Sequence, residues 1–224
     1  LCRIGAEGAA AMLAGMRRFG EAAAVARMFR CDMTPLVCSW LHLQLAPGGR
    51  LSEADDEQAE QSVMELLPRG ASDQLGFAAI AAACFRAKRV TLAHRFLQRE
   101  LDLIKTVTLL LYERDYRGAL AVARQADDSD MLSFVLEHAR KNLEKGPVLL
   151  HLASSSREAG DCFVRLCRAH KDTEALIEFY FFTRRFAEAG MYHVRLACSQ
   201  YAAGMHEEAA TMMQAAVSIF EREG

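Results

Sequence analysis

Cys162, Cys167 and His170 lie close together in the chain, and two thiols with an imidazole are the donor set of a zinc site. Their spacing argues against it. On a helix all three fall on one apolar face with Ala159, Phe163 and Leu166, where a free cysteine behaves as a small hydrophobe. Cys38 and His42 stand one helical turn apart and offer two ligands, but no C-x-x-C or H-x-x-x-H pair supports them. Both sets read as core packing, and no metal or cofactor is expected. A cysteine nucleophile would need a glycine elbow or an oxyanion loop, and none accompanies any of the seven cysteines. The Gly48-Gly49 pair follows a helix and precedes a polar link, which is not the setting of a phosphate loop. Glu53, Asp55, Asp56 and Glu57 crowd together without the spacing of a calcium loop and read as a solvated face. These residues predict no enzyme.

The basic residues say more. Arg86, Lys88, Arg89, Arg95 and Arg99 cluster around one helical hairpin with His94 among them. The apolar side of the second helix is Leu92, Ala93, Phe96 and Leu97, so Lys88, Arg95 and Arg99 point outward. One reading is a solvated surface. The other is an acidic partner, because arginine is enriched in interface cores. Aromatic residues do not interleave with these bases as a nucleic-acid platform requires.

The elements that carry these residues are helices. The apolar spacing is helical almost everywhere, including Leu36, Val37, Trp40 and Leu41, although the stretch 40–45 also fits an alternating strand. The four prolines mark helix ends. Thr34-Pro35 reads as an N-cap and first helical residue, and Gly146-Pro147 closes one helix and opens the next. Pro47-Gly48-Gly49 and Pro68-Arg69-Gly70 read as breaks, with a polar link over 47–55 leading into an acidic helix.

The clearest helix spans about 157–170, with Asp161, Val164, Arg165 and Arg168 opposite its apolar face. The segment 130–143 carries a stripe of Met131, Val135, Ala139 and Leu143, with Leu132 and Leu136 beside it. Asp127 or Asp128 caps its start. A short theme recurs at helix starts, placing a small residue a few positions after a charged or aromatic one: Ala22, Ala93, Ala119, Ala175, Ala189 and Ala209. Small residues there let the second helix of a hairpin lie against the first. The spacing is irregular, which predicts an all-α, irregular α-solenoid of stacked helical hairpins. About twelve to fourteen helices are expected from typical helix and connection lengths.

Composition agrees. The chain has 224 residues, of which 52% are hydrophobic, enough to bury a sizeable core. Lys and Arg number 27 against 29 Asp and Glu, for a net charge of −2. A balanced chain has no global field to hold nucleic acid or an anionic membrane. Seven unpaired-looking cysteines suit a reducing compartment. No apolar run approaches a membrane span of ~20 residues, and the start lacks the pattern of a signal peptide. The chain opens Leu-Cys-Arg without an initiator Met and is expected to be cut from something longer, as a single solenoid domain over 1–224.

The run from Ala79 through Arg89, Ile-Ala-Ala-Ala-Cys-Phe-Arg-Ala-Lys-Arg after the first alanine, then Leu92-Ala93 and Leu97, resembles the C-terminal domain of vacuolar protein sorting-associated protein 16. The family pattern there is I-A-A-x-A-Y, a Gly-Arg turn, then L-A-x-x-L-L-E. It continues as V-P-L-L-L, A-L and S-G-D-T-D-L-V, which here read Val107-Thr-Leu-Leu-Leu111, Ala119-Leu120 and Ala126-Asp-Asp-Ser-Asp-Met-Leu132. The family's Y-R-Q-F-C-K-H is similar to Val164-Arg165-Leu-Cys-Arg-Ala-His170. Its E-x-L-x-x-L/F-Y is similar to Glu174-Ala-Leu-Ile-Glu-Phe-Tyr180. The resemblance is strongest over 75–180 and looser from Trp40 to the end. Lys88 stands in place of the turn glycine, Thr108 in place of a proline, and Leu101 in place of the proline after the family's E-Y-E. Connections that bend differently are therefore expected.

The resemblance implies a non-catalytic subunit of the HOPS and CORVET tethering complexes. These are cytosolic assemblies, peripheral on late endosomes, lysosomes or vacuoles. It implies a propeller domain ahead of Leu1 and a family helix cut off after Phe220. It also implies partners: the Sec/Munc-type vacuolar protein sorting-associated protein 33, which templates SNARE assembly, and the other subunits of those complexes. Membrane contact would be indirect, and no nucleic acid is implied. By position the resemblance makes Arg165 the foremost partner-binding residue, followed by Arg89, Arg95 and Asp130. A paralogous trafficking protein with the same domain, or a helical-repeat scaffold of a coat or ciliary transport complex, are the alternatives. An upstream propeller would separate the tethering subunit from its paralogue.

Overall fold

A computed structural model describes residues 2–51, 55–66, 76–143 and 146–222, with the side chains of residues 2–4 and 66 left undescribed. Among the described residues there are fourteen α-helices and no strand. The chain divides into two compact units, Leu1–Arg114 and Asp115–Gly224.

The first unit holds α1 (Cys2–Gly15), α2 (Phe19–Met28), α3 (Thr34–Leu45), α4 (Asp56–Leu66), α5 (Phe77–Arg86), α6 (Val90–Leu97) and α7 (Leu103–Tyr112). α1 pairs with α2, α5 pairs with α6, and α3 packs on α5. Val37, Leu41, Ile80, Leu92 and Phe96 form its centre with essentially no exposure. Phe77 and Phe96 stack across the α5–α6 hairpin with ring centroids 6.4 Å apart.

The second unit holds α8 (Tyr116–Gln125), α9 (Ser129–Asn142), α10 (Pro147–Ala153), α11 (Arg157–Ala169), α12 (Thr173–Phe182), α13 (Phe186–Ala202) and α14 (His206–Glu221). α9 packs on α8 and α11, α12 bridges α11 and α13, and α13 with α14 forms the longest hairpin. Phe163 and Phe179 meet at 5.2 Å in its core. Gly190 allows the α13–α14 approach, since a Cβ there would lie 2.6 Å from the Phe220 ring.

One turn recurs through both units. The second residue past the first helix takes left-handed backbone, and the next residue is the N-cap of the second helix. Arg17, Lys88, Arg114, Asp127, Lys171, Arg184 and Gly204 hold the left-handed position. The recurring alanines follow it. Ala22, Ala93, Ala119, Ala175, Ala189 and Ala209 are all buried, where a larger side chain would hold the paired helices apart. Lys88, standing where the resemblance has glycine, keeps φ at 61°. The turn therefore retains the conformation that glycine adopts freely.

Helix starts are fixed locally. The carboxylates of Asp102, Asp115, Asp128 and Asp172 and the hydroxyl of Ser156 accept from backbone N–H groups in their helices' first turns. Of the two aspartates expected at α9, Asp128 is the cap and Asp127 is the left-handed residue before it. Thr34 is not a cap. It is the first residue of α3, its N–H donates to Asp32 at 2.8 Å, and its hydroxyl accepts from Gly76 N–H at 3.1 Å. The hydroxyl is thus drawn to α5 instead of to its own helix. Gly146 caps the start of α10 but does not close α9, which ends at Asn142. Pro68-Arg69-Gly70 lies outside the described residues.

Candidate partner-binding surface

α4 determines what the arginine cluster does. Its sequence is acidic, and among its described side chains only Ala59 and Val63 are fully buried. Such a helix needs polar ties to stay docked on α6. Arg89, the N-cap residue of α6, donates Nε–H to Asp56 Oδ1 at 2.8 Å and Nη1–H to the Leu51 carbonyl at 3.0 Å. Arg95 donates to Glu60 Oε2 at 3.0 Å, and Arg99 donates to Glu60 Oε1 at 2.8 Å. The Glu60 side chain is 12% exposed. Burial alone would raise its pKa, but hydrogen bonds from Arg99 and Arg95 outweigh that and hold it below the usual carboxylate range. The acidic partner of these arginines is therefore within the chain itself. Asp56, read from sequence as part of a solvated acidic face, is one of its members. Arg86 and Lys88 are exposed at the end of the hairpin.

Asp130 and Arg165 belong to the second unit. Arg165 lies on α11, exposed, with Ala159, Cys162, Phe163 and Cys167 buried on the other side of the helix. Around the axis it falls midway between Cys162, which contacts the Ser133 hydroxyl of α9 at 2.8 Å, and Arg168, which donates to the Tyr180 hydroxyl of α12 at 3.3 Å. It therefore crests the ridge between the two neighbouring helices. Asp130 stands in the exposed first turn of α9, and one turn further on Phe134 is 52% exposed. Among the described residues, neither the Arg165 guanidinium nor the Asp130 carboxylate has an ion pair or a side-chain hydrogen bond. Sequence reading passed over Phe134. Its signal is an aromatic lying off the stripe of Val135, Leu136 and Ala139.

The apolar face of α11 is wider than the sequence suggests. Val164 was expected to point outward and is buried at 8% exposure, because α9, α10 and α12 all pack on this helix. His170, expected on the apolar face, is at the C-cap and exposed. Its Nε2 lies 3.2 Å from Glu137 Oε2. Glu137 also holds Arg140 and Lys141, and Arg140 reaches Asp172 at 3.8 Å. The Arg140 guanidinium first, then Lys141 and His170, bring the Glu137 carboxyl down to about 2 against the opposing effect of burial. This cluster clasps α9 to the α11–α12 turn.

Four of the cysteines pack as apolar groups. Cys31, Cys84, Cys162 and Cys167 are buried thiols. Burial pushes Cys84 and Cys167 up to about 12, far from the thiolate a nucleophile or metal ligand needs. Among the described residues no three His, Cys, Asp or Glu side chains converge as metal ligands, and no helix is long and apolar enough to cross a membrane.

Residues 75–223 match the protein-family model described as Vps16, C-terminal region. The match covers well over half of the chain, takes in α5 through α14, and includes Arg89, Arg95, Asp130 and Arg165. It extends past 180, where the sequence motifs alone were strongest, to the end of the last hairpin. A chain of helical hairpins matched over this length belongs to the family of the C-terminal region of Vps16, a tethering-complex subunit.

Proposed function

We propose that this chain is a non-catalytic scaffold of the HOPS and CORVET tethering complexes that holds a Sec/Munc-type subunit, vacuolar protein sorting-associated protein 33. In this role it supports SNARE-mediated fusion at endosomal, lysosomal or vacuolar membranes, which it meets only through the assembled complex. Family membership over 75–223 carries the reading. The exposed guanidinium of Arg165, without an ion pair among the described residues, supports the choice of surface. An arginine left free on a ridge presents a planar set of donors to a partner's carboxylate or carbonyl groups. Asp130, with Phe134 one turn away, would extend the contact on α9. Arg89 and Arg95 would act less directly, because their charges are already matched by Asp56 and Glu60.

Arg165→Glu is expected to abolish co-purification with the Sec/Munc-type partner while leaving the helical circular-dichroism signal unchanged. An exposed charge change moves stability by about 0.5 kcal/mol or less. Loss of a buried, hydrogen-bonded charge pair costs binding about 2–5 kcal/mol. Full retention of the partner by a folded Arg165→Glu chain removes Arg165 from the interface. Failure of the wild-type chain to retain it removes the Sec/Munc reading.

A further inference from the structure

A groove of about 350 Å³ runs between α8 and α10 in the second unit. Arg117 and Arg124 rim it on α8, Leu120, Ala121 and Leu152 form its floor, and His151 stands on the α10 side. Both arginines are exposed, and among the described residues neither forms an ion pair or hydrogen bond. This sets them apart from Arg89, Arg95, Arg99 and Arg140, which are all matched by the chain's own carboxylates. Glu158 feels the charge of Arg124, but its carboxylate is engaged with Ser156 and with its own backbone N–H. His151 packs edge-on against Phe182 at 4.8 Å, which fixes that wall. The groove thus presents a positive rim over an apolar floor.

We propose that this groove docks an acidic amphipathic segment of a partner protein. The spacing of the rim sets the motif. Arg117 and Arg124 are seven residues apart on one helix, which at 1.5 Å per residue separates them by about 10 Å. Two carboxylates seven residues apart on a helix, or three apart on an extended strand, span the same distance. An apolar side chain between them would cover Leu120, Ala121 and Leu152. A segment with an acidic residue, a leucine three or four positions on, and a second acidic residue at the seventh position has the complementary chemistry. A helix with the same apolar residue but basic flanks would face both arginines and be rejected.

The test uses the 224-residue chain and a fluorescein-labelled synthetic helical peptide carrying two glutamates seven apart with a leucine between them. A matching peptide with lysines in place of the glutamates is the control. Anisotropy titrations should show binding of the acidic peptide that weakens with added salt, and no binding of the lysine peptide. Arg117→Glu with Arg124→Glu should weaken binding at least about tenfold. Ala121→Trp, which fills the exposed groove and leaves the charges in place, should do the same. Arg117→Gln with Arg124→Gln repeats the test should the reversed charges disturb folding. Equal affinity in all variants, equal binding of the lysine peptide, or no binding at about 1 mM peptide each overturn the proposal. Tighter, variant-sensitive binding of a single-stranded oligonucleotide overturns it in favour of a nucleic-acid groove. Because the probe is synthetic, failure here is distinct from failure of the Sec/Munc reading, which co-purification decides.

Discussion

Among the described residues nine helical connections place a residue in left-handed backbone, and in seven of them that residue is Arg, Lys or Asp instead of glycine. Each such residue carries strain of about 1–2 kcal/mol, offset by the tight turn it permits. Lys88 is the informative case because it is exposed and the resemblance has glycine in its place. Lys88→Gly relieves the strain and gives back about 0.5–1 kcal/mol through the freer unfolded chain. The expected net is a stabilisation of about 0.5–1 kcal/mol, seen as a higher melting temperature. A lower melting temperature would show that the lysine side chain contributes contacts beyond its backbone conformation.

At the scale of elements, the arrangement depends on small residues and on charge. Ala93 has no exposed surface and lies in α6 between Leu92 and Phe96, both also fully buried. Ala93→Asp places an unpartnered carboxylate in a space that holds one methyl group. The expected cost is about 3 kcal/mol or more, read as loss of cooperative melting in the first unit. An unchanged melt would mean that α6 can shift outward.

The docking of α4 is different in kind. Glu60→Gln keeps the size and removes the charge that Arg95 and Arg99 share. Both arginines are more than a third exposed, so screening limits the loss to about 1 kcal/mol. The better readout is local. Faster hydrogen exchange of α4 amides, with α5 and α6 unaffected, is expected. Exchange that rises equally in all three helices would show that α4 is integral to the hairpin's core.

At the scale of the whole molecule, the Glu137 cluster is expected to make the second unit sensitive to acid. The carboxyl is held at about 2, below its ordinary 4.5, chiefly by the Arg140 hydrogen bond. A depressed folded value means the stabilisation is fully present above about pH 4.5 and is lost as the pH falls toward about 2. With 20% of the side chain exposed, the contribution is on the order of 2 kcal/mol after screening. Glu137→Gln should lower the melting temperature at about pH 6, and the gap from wild type should narrow below about pH 4.5 and close as the pH approaches about 2. A gap independent of pH would assign the effect to packing instead of charge. The match to the family spans α5 through α14, so both this cluster and the Arg165 ridge lie in the part of the chain that defines the family.

The sequence by itself determined the helices, their approximate ends, and the buried side of most of them. Apolar spacing of 3.6 residues is a local property, and it set the face of α6 and the greater part of the faces of α9 and α11, although Met131 and Leu143 of the expected α9 stripe are only half-buried. The recurring alanines marked the hairpins, because a small residue is required wherever two helices approach closely. The motif series named the family. What only tertiary structure decided is which surface residues are already satisfied. Arg95 and Arg165 look alike in sequence, each outward on an amphipathic helix. Arg95 meets Glu60, which is thirty-five positions away in the chain, and among the described residues the Arg165 guanidinium meets no carboxylate. Val164 and His170 went astray for the same reason. Periodicity reports one stripe, whereas a helix covered by three neighbours buries a wider face, and a side chain at a helix end follows the nearest opposite charge. Charge pairing across a fold depends on the path of the backbone between the partners, and no local pattern encodes that path.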